Sequence, residues 1–286
     1  MMNSRNAWTP DFKEISEQDI ESIAATVRHY HGFDFRNYAP SSLRRRIARI
    51  VSIYRLKSVA QLLERLQKDK PFYDEFLHEI TVNTTELFRD PAFWRSMRTL
   101  LQAQMSGKRH IYIWHAGVST GEELYSMLII LHELGFLEKA RLLGTDISDK
   151  VLEQAQQGLL HERNLELYKK NHQEAGGTQN LSDYFQQGKD GHYYLHEELI
   201  GPGVKFKRHD LVQDAAPSRY DLIMCRNVLI YFDATLQDKV IQKFYSAMFN
   251  GSYLAIGSKE SLVMSSMASK YVTIDKEHKI FQLRKT

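Results

Sequence analysis

Residues 111–126 read IYIWHAGVSTGEELYS. A short apolar strand, Ile111 to Trp114, runs into a glycine-bearing turn that opens a helix. Such a junction belongs to a parallel sheet whose strands are joined by crossover helices. The rest of the second half repeats it. Glu122 to Leu134 reads as a helix with Leu124, Met127, Leu128 and Leu131 on one face, and Ala140 to Thr145 as a strand ending at Asp146. Asp149 to Gln157 is again helical, Tyr220 to Cys225 a strand, Leu236 to Met248 a helix and Tyr253 to Ile256 a strand. The alternation lapses between Gly158 and Gly203. There Gly188-Lys189-Asp190-Gly191 reads as a hairpin turn before a strand at His192 to Leu195, so an inserted antiparallel sheet is expected.

The first 80 residues have helical periodicity instead. Ser16 and Asp19 have capping-box spacing, Ile20, Ile23, Ala24, Val27 and Tyr30 follow, and Gly32 supplies a stop. Three more short helices start near Pro40, Ser58 and Pro71. Thr81 to Thr85 is poor helix material and reads as a linker. The chain is 43% hydrophobic and 26% charged, enough apolar material for a core and too little charge for disorder. No apolar run approaches the roughly 18 residues that cross a bilayer, and the N-terminus has no signal-peptide pattern. The one cysteine, Cys225, excludes an internal disulfide framework and a multi-thiolate zinc site. His192/His196 and His29/His31 lack the partners of a ligand set, so no metal is expected. A soluble cytoplasmic protein of two parts fits these observations.

Three segments carry chemistry. At the 117–123 turn, Glu122 and Glu123 would repel a pyrophosphate and suit a cationic or hydroxyl-rich ligand; read alone, they are also ordinary acids at a helix N-terminus. Asp146, ending the next strand, stands where nucleotide-binding sheets hold ribose hydroxyls, or it caps the following helix. In YDLIMCRNVLIYF, residues 220–232, an apolar strand ends in Cys225-Arg226-Asn227, the strand end at which α/β sheets bind ligands.

Together with NTTELFRDPAFW at 83–94, these motifs resemble the chemotaxis receptor glutamate methyltransferases, the CheR family, over nearly the whole chain. The resemblance implies an α/β protein: a small N-terminal helical bundle (1–80) for substrate recognition, a linker (81–91) contributing to the cofactor site, and a Rossmann-like methyltransferase domain (92–286) with a small antiparallel β-subdomain inserted at about 180–205. It implies S-adenosyl-L-methionine as cofactor, with S-adenosyl-L-homocysteine as product. Cofactor contacts carry over to Asn83, Thr85, Arg89, Gly117, Glu123, Asp146, Asp210, Leu211, Arg226 and Asn227, and the methyl-transfer site to Arg89 and Tyr231. The implied activity is glutamate methyl-ester formation on the cytoplasmic helical domain of chemotaxis receptors by a monomer, adjusting receptor adaptation.

Several positions depart from the family pattern: His115 for Ser, Val118 for Cys, Leu124 for Pro, Asp210 for Asn, Leu87 for the first Phe of the linker, and Gly257-Ser258-Lys259-Glu260 for Gly-His-Ser-Glu. Arg89, Glu123, Asp146 and Tyr231 are kept, so an active enzyme is expected. The net charge of +3 hides segregation: Phe35 to Leu63 holds no acid but contains Arg36, Arg44, Arg45, Arg46, Arg49, Arg55 and Lys57. On a helical wheel Arg45 and Arg49 lie opposite the Leu43/Ile47/Ile50/Tyr54 stripe and Arg46 flanks it. A face of one sign suits an acidic partner, and the resemblance puts receptor helices against it, with Arg45, Arg46 and Arg49 binding substrate. The short hairpin loop favours direct recognition over tethering by a receptor tail. Two other readings fit less well. An RNA methyltransferase lacks its Asn/Asp-Pro-Pro-Tyr/Phe motif here, so no nucleic acid is expected, and a non-catalytic cofactor-binding signalling module would not need Arg89 and Tyr231.

Overall fold

The computed structural model describes residues 15–36, 38–81 and 85–284. These form two compact units, the first comprising the N-terminal helices together with 231–235. In that helical unit, α1 (Glu17–His31) begins at the expected capping box: Ser16 Oγ accepts the Asp19 N–H at 3.1 Å, and the Asp19 carboxylate accepts the Ser16 N–H at 2.9 Å. It ends at Gly32, whose φ of 73° allows the left-handed cap. Helices α2 (Pro40–Ile53), α3 (Val59–Lys68) and α4 (Lys70–Ile80) complete the bundle. Tyr38 pairs with Phe232 and the Ala39 N–H donates to the Tyr231 carbonyl at 3.0 Å, so 231–235 folds with these helices.

The basic face of α2 differs from the sequence expectation in two ways. It is partly neutralised by neighbouring helices: Arg49 pairs with Glu79 at 3.1 Å and Arg44 with Glu17 at 3.8 Å. Arg46, expected at the binding surface, is buried beside Leu43, Ile47 and Ile50. A wheel places it at the flank of the stripe, and residues distant in sequence close over it.

The second unit begins with α5 (Pro91–Met105), then β1 (Ile111–Ala116), α6 (Glu122–Glu133), β2 (Ala140–Asp146) and α7 (Asp149–Gln157). The inserted stretch contains β3 (Leu159–Leu160), α8 (Leu165–Glu174), β4 (Phe185–Gln187), β5 (Tyr193–Leu195) and α9 (Glu197–Ile200). Strands β6 (Val204–Arg208) and β7 (Tyr220–Cys225), helix α10 (Ala234–Ser246), and β8 (Met248–Ile256), β9 (Tyr271–Asp275) and β10 (Ile280–Leu283) follow. The large sheet has the order β6-β2-β1-β7-β8-β10-β9. Its first five strands run parallel, while β10 and β9 add an antiparallel edge. A parallel sheet was the sequence expectation, and these five strands meet it. The closing hairpin changes it to a mixed one, because its tight turn reverses the chain without a crossover helix.

The small sheet, β3-β5-β4, draws in Leu159–Leu160 from before the expected 180–205, while β6 leaves that range to pair with β2. Helix α6 is buried nearly all round, including Tyr125, Ser126, Ile129 and Ile130 as well as the expected stripe. The inserted segment covers its outer side: Glu133, at the end of α6, accepts from Tyr184 Oη at 2.9 Å and from the Thr178 N–H at 3.0 Å. No helix among the described residues is long and apolar enough to cross a membrane.

Candidate cofactor site

Parallel strands bring their carboxyl ends to one edge of the sheet. In the second unit β1, β2 and β7 deliver Gly117, Asp146 and Arg226-Asn227 there. The turn after β1 is pinned to β2, since the Gly117 and Val118 N–H groups both donate to the Thr145 carbonyl at 2.8 Å. Gly117 has φ +80°, and a Cβ on it would lie 2.5 Å from a Val228 methyl. Both the backbone conformation and the packing therefore require glycine.

Asp146 faces that turn. One carboxylate oxygen accepts the Ser119 N–H at 2.9 Å and the other accepts the Ser148 N–H at 3.2 Å. Burial pushes its carboxyl above the ordinary value, against the lowering effect of these N–H groups. Each carboxylate oxygen has two acceptor directions, so capacity for hydroxyl donors is left over. Asp146 is not the helix cap, because α7 starts after Ser148 and the carboxylate bonds the Ser148 N–H ahead of the helix; the hydroxyl-acceptor reading is the one these contacts leave open.

Glu123 sits in an ionic chain. Arg226 donates to it at 3.2 Å and to Asp90 at 2.7 Å, and His115 Nδ1 lies 3.3 Å from its other oxygen. The Arg226 guanidinium also stacks on the Phe93 ring at 3.9 Å. Burial would raise the Glu123 carboxyl, but His115 and Arg226 outweigh it and hold it below the usual carboxylate value. Glu123 and Arg226, both expected at the cofactor, are brought together and pair with each other, while Arg226 makes its shorter bond to Asp90. Asp90 ties the linker into the same group.

Linker residues 85–90 belong to this unit. Thr85 and Arg89 are half-buried; the Arg89 N–H donates to the Glu86 carbonyl at 3.3 Å. Asn83 lies outside the described residues. Asp210 follows β6 beside β2, where the His209 N–H donates to the Asp146 carbonyl at 2.8 Å. Its Oδ1 accepts from the Val212 and Gln213 N–H groups at 2.7 and 3.1 Å, so the carboxylate folds its own loop, in which Leu211 is buried. Arg46 and Tyr231 are brought together within the helical unit. The Arg46 guanidinium lies 4.7 Å from the centre of the Tyr231 ring and donates to the Ile80 carbonyl. Burial lowers the Arg46 pKa, partly offset by Tyr231, to which it also hydrogen-bonds. Arg45 and Arg49 are exposed.

Sequence reasoning missed Glu260. It is buried, and its carboxylate accepts the Gly257 N–H at 2.5 Å and the Ile230 N–H at 3.3 Å. Burial raises its carboxyl, opposed by these two donors and by the Asn227 and Leu229 amides. Glu260 thus clamps the loop after β7 and supports the left-handed Asn227, whose φ is 61°. The signal was present in Gly257-x-x-Glu260, an acid three residues beyond the glycine whose N–H it accepts.

Buried polar atoms at this edge, Ser119 Oγ, His115 Nε2 and Arg226 Nε among them, have no hydrogen-bond partner among the described residues. Buried polar groups are rarely left so. With the spare acceptor capacity of Asp146, they fit a polar, hydroxyl-bearing ligand. Comparison with known proteins gives the family and its cofactor. A family model described as the CheR methyltransferase SAM binding domain matches residues 83–279, and one described as the CheR methyltransferase all-alpha domain matches 18–81. The chain belongs to the CheR methyltransferase family. Its cofactor is S-adenosylmethionine, and it is a methyltransferase. It is 32% identical over 264 residues to a putative methyltransferase, Cher3, of Pseudomonas putida, covering 92% of this chain and 96% of that one. A chemotaxis protein methyltransferase of Listeria innocua is 29% identical over 249 residues, covering 86% and 91%. One of Borreliella burgdorferi is 27% identical over 267 residues, covering 87% and 89%.

Proposed function

We propose that this CheR-family enzyme forms methyl esters on glutamate side chains of the cytoplasmic helical domain of chemotaxis receptors, and so adjusts receptor adaptation. The carrying observation is the match of both family domains, in order, together with relatives named chemotaxis protein methyltransferases. The protein acts in the cytoplasm as a monomer and recognises receptor helices directly.

S-adenosylmethionine, when bound, supplies an electrophilic methyl group on a sulfonium. Asp146 would hold its hydroxyls, Gly117 would give it close access to the backbone, and Thr85, Asp210, Leu211 and Asn227 would line its site, with Asn83 assigned to it by the family resemblance alone. Glu123, kept ionised by His115 and Arg226, supplies negative charge at the turn. A substrate glutamate with an ordinary pKa near 4.3 is already ionised at neutral pH, so no general base is needed. The chain's task is to orient that carboxylate and partly desolvate it. Arg89 steers it, and Tyr231 donates a hydrogen bond to it. Strong pairing would blunt the nucleophile, which suits a phenol better than a second cation.

Arg46, stacked over the Tyr231 ring, holds it in place, while Arg45 and Arg49 meet the acidic receptor helix. The test is labelled methyl transfer to purified receptor fragments, with Arg89→Ala and Tyr231→Phe in parallel. Base-labile label on the receptor, lost in both variants, is the expected result. Label in RNA, or cofactor binding without transfer, would overturn the reading. Half or more of the activity surviving in both variants would remove the two residue roles.

A further inference from the structure

The linker that carries Thr85 and Arg89 contains two non-glycine residues in the left-handed region, Phe88 with φ 52° and Asp90 with φ 58°. Residues with side chains seldom adopt this conformation, and they persist in it when surrounding contacts over-determine it. Arg226 holds the far end of the linker through Asp90. Ser126 Oγ accepts the Phe88 N–H at 2.8 Å, and the Phe88 ring packs on Trp94 and His172, with centroids 5.8 and 4.9 Å away. The near end is held by a residue of the inserted segment. Asn171 Nδ2 on α8 donates to the Glu86 carboxylate and, at 3.1 Å, to the Leu87 carbonyl.

We propose that Asn171 is a positioning residue: it fixes the linker's backbone so that Arg89 is presented in its working place, and the inserted segment thereby takes part in catalysis. This rests on the role of Arg89 proposed above. Both partners of the amide are acceptors, so its orientation is settled, and both N–H groups are used. Asn171 is only 6% exposed. Asparagine is a poor residue inside a helix, because its side chain competes for backbone bonds. Here that side chain is directed at another segment, 84 and 85 residues away. Helix α8 cannot drift either. The neighbouring His172 Nε2 lies 3.1 Å from Glu133 Oε1, and the fully buried Glu133 side chain also binds Arg98, Tyr184 Oη and the Thr178 N–H.

The decisive comparison is Asn171→Asp against Asn171→Asp/Glu86→Gln. The single change turns a donor towards a carboxylate and a carbonyl into an acceptor without changing its size. The second change gives residue 86 a donor for Asp at 171. Losing a buried hydrogen bond and leaving its partners unsatisfied corresponds to about tenfold or more in rate. The expected result is a fall of that size in kcat for the single variant at a temperature where it is fully folded, with recovery of about threefold or more in the double variant. Amide exchange over residues 85–90 should be faster in the single variant only. Unchanged kcat and unchanged exchange in Asn171→Asp would overturn the proposal, as would a fall in thermal stability alone. If Asn171→Asp does not fold, Asn171→Ser, smaller and with one donor, carries the same comparison. Arg89→Ala separates the two claims: full activity in that variant removes the role of Arg89, while the exchange measurement still decides whether Asn171 holds the linker.

Discussion

Glu133→Gln tests whether the inserted segment is held on α6 by a buried charge. The Glu133 side chain is fully buried and faces Arg98, whose side chain is 16% exposed, together with His172, Tyr184 and the Thr178 N–H. Burial alone would raise its carboxyl. The bonds from His172, Thr178 and Arg98 outweigh burial and lower it from 4.5 to about 2. A depression of about 2.5 units at about 1.4 kcal/mol per unit gives a contribution of about 3 kcal/mol. Removing one partner of a buried pair costs about 3–5 kcal/mol, in the same range. Because the folded pKa is depressed, the contribution is complete above 4.5 and is lost as pH falls towards 2. Glutamine keeps the volume and one acceptor but turns an N–H donor towards Arg98. Urea unfolding of both proteins, followed by the fluorescence of the buried Trp94 and Trp114, should give a gap of about 3 kcal/mol at pH 7, shrinking to less than half of that at about pH 3. A gap that stays constant over this range, or one below about 1 kcal/mol at pH 7, would refute the reasoning.

Two further substitutions probe the cofactor edge. Gly117→Ala costs about 1–2 kcal/mol for the left-handed backbone, beyond the overlap with Val228, so S-adenosylmethionine affinity by calorimetry should fall about tenfold or more. Val228→Ala should restore only part of it, and an unchanged affinity in Gly117→Ala contradicts the close turn. Arg226→Met leaves Glu123 and Asp90 without their shared cation; a loss of about 2 kcal/mol or more in unfolding free energy is expected, together with weaker cofactor binding. Stability within about 0.5 kcal/mol of the parent would show that the ionic chain holds nothing together.

The sequence disclosed local order well and long-range order poorly. The Ser16–Asp19 box, the Gly32 stop and the strand β7 stand where their spacing places them, because caps and apolar periodicity are decided within a few residues. Asp146 was legible as the end of a strand before a helix. The β9–β10 hairpin was not: its strands are short, and Val272, Thr273 and Ile274 do not alternate clearly. The burial of Arg46 depends on Ile80 and Tyr231, far along the chain, so a helical wheel could show only its flank position. The Glu133 cluster draws on Arg98, His172, Thr178 and Tyr184, which no local pattern connects. Asn171 is equally silent in sequence, because its meaning is set by a linker 84 residues earlier.

The most direct measurement is peptide mapping by tandem mass spectrometry of a receptor cytoplasmic fragment incubated with the enzyme and S-adenosylmethionine. The account predicts one added methyl group on glutamate side chains, removed by mild base and absent when Tyr231→Phe replaces the parent enzyme. Methyl groups confined to lysine, arginine or another residue type, or an unmodified receptor beside an enzyme that binds the cofactor, would contradict it.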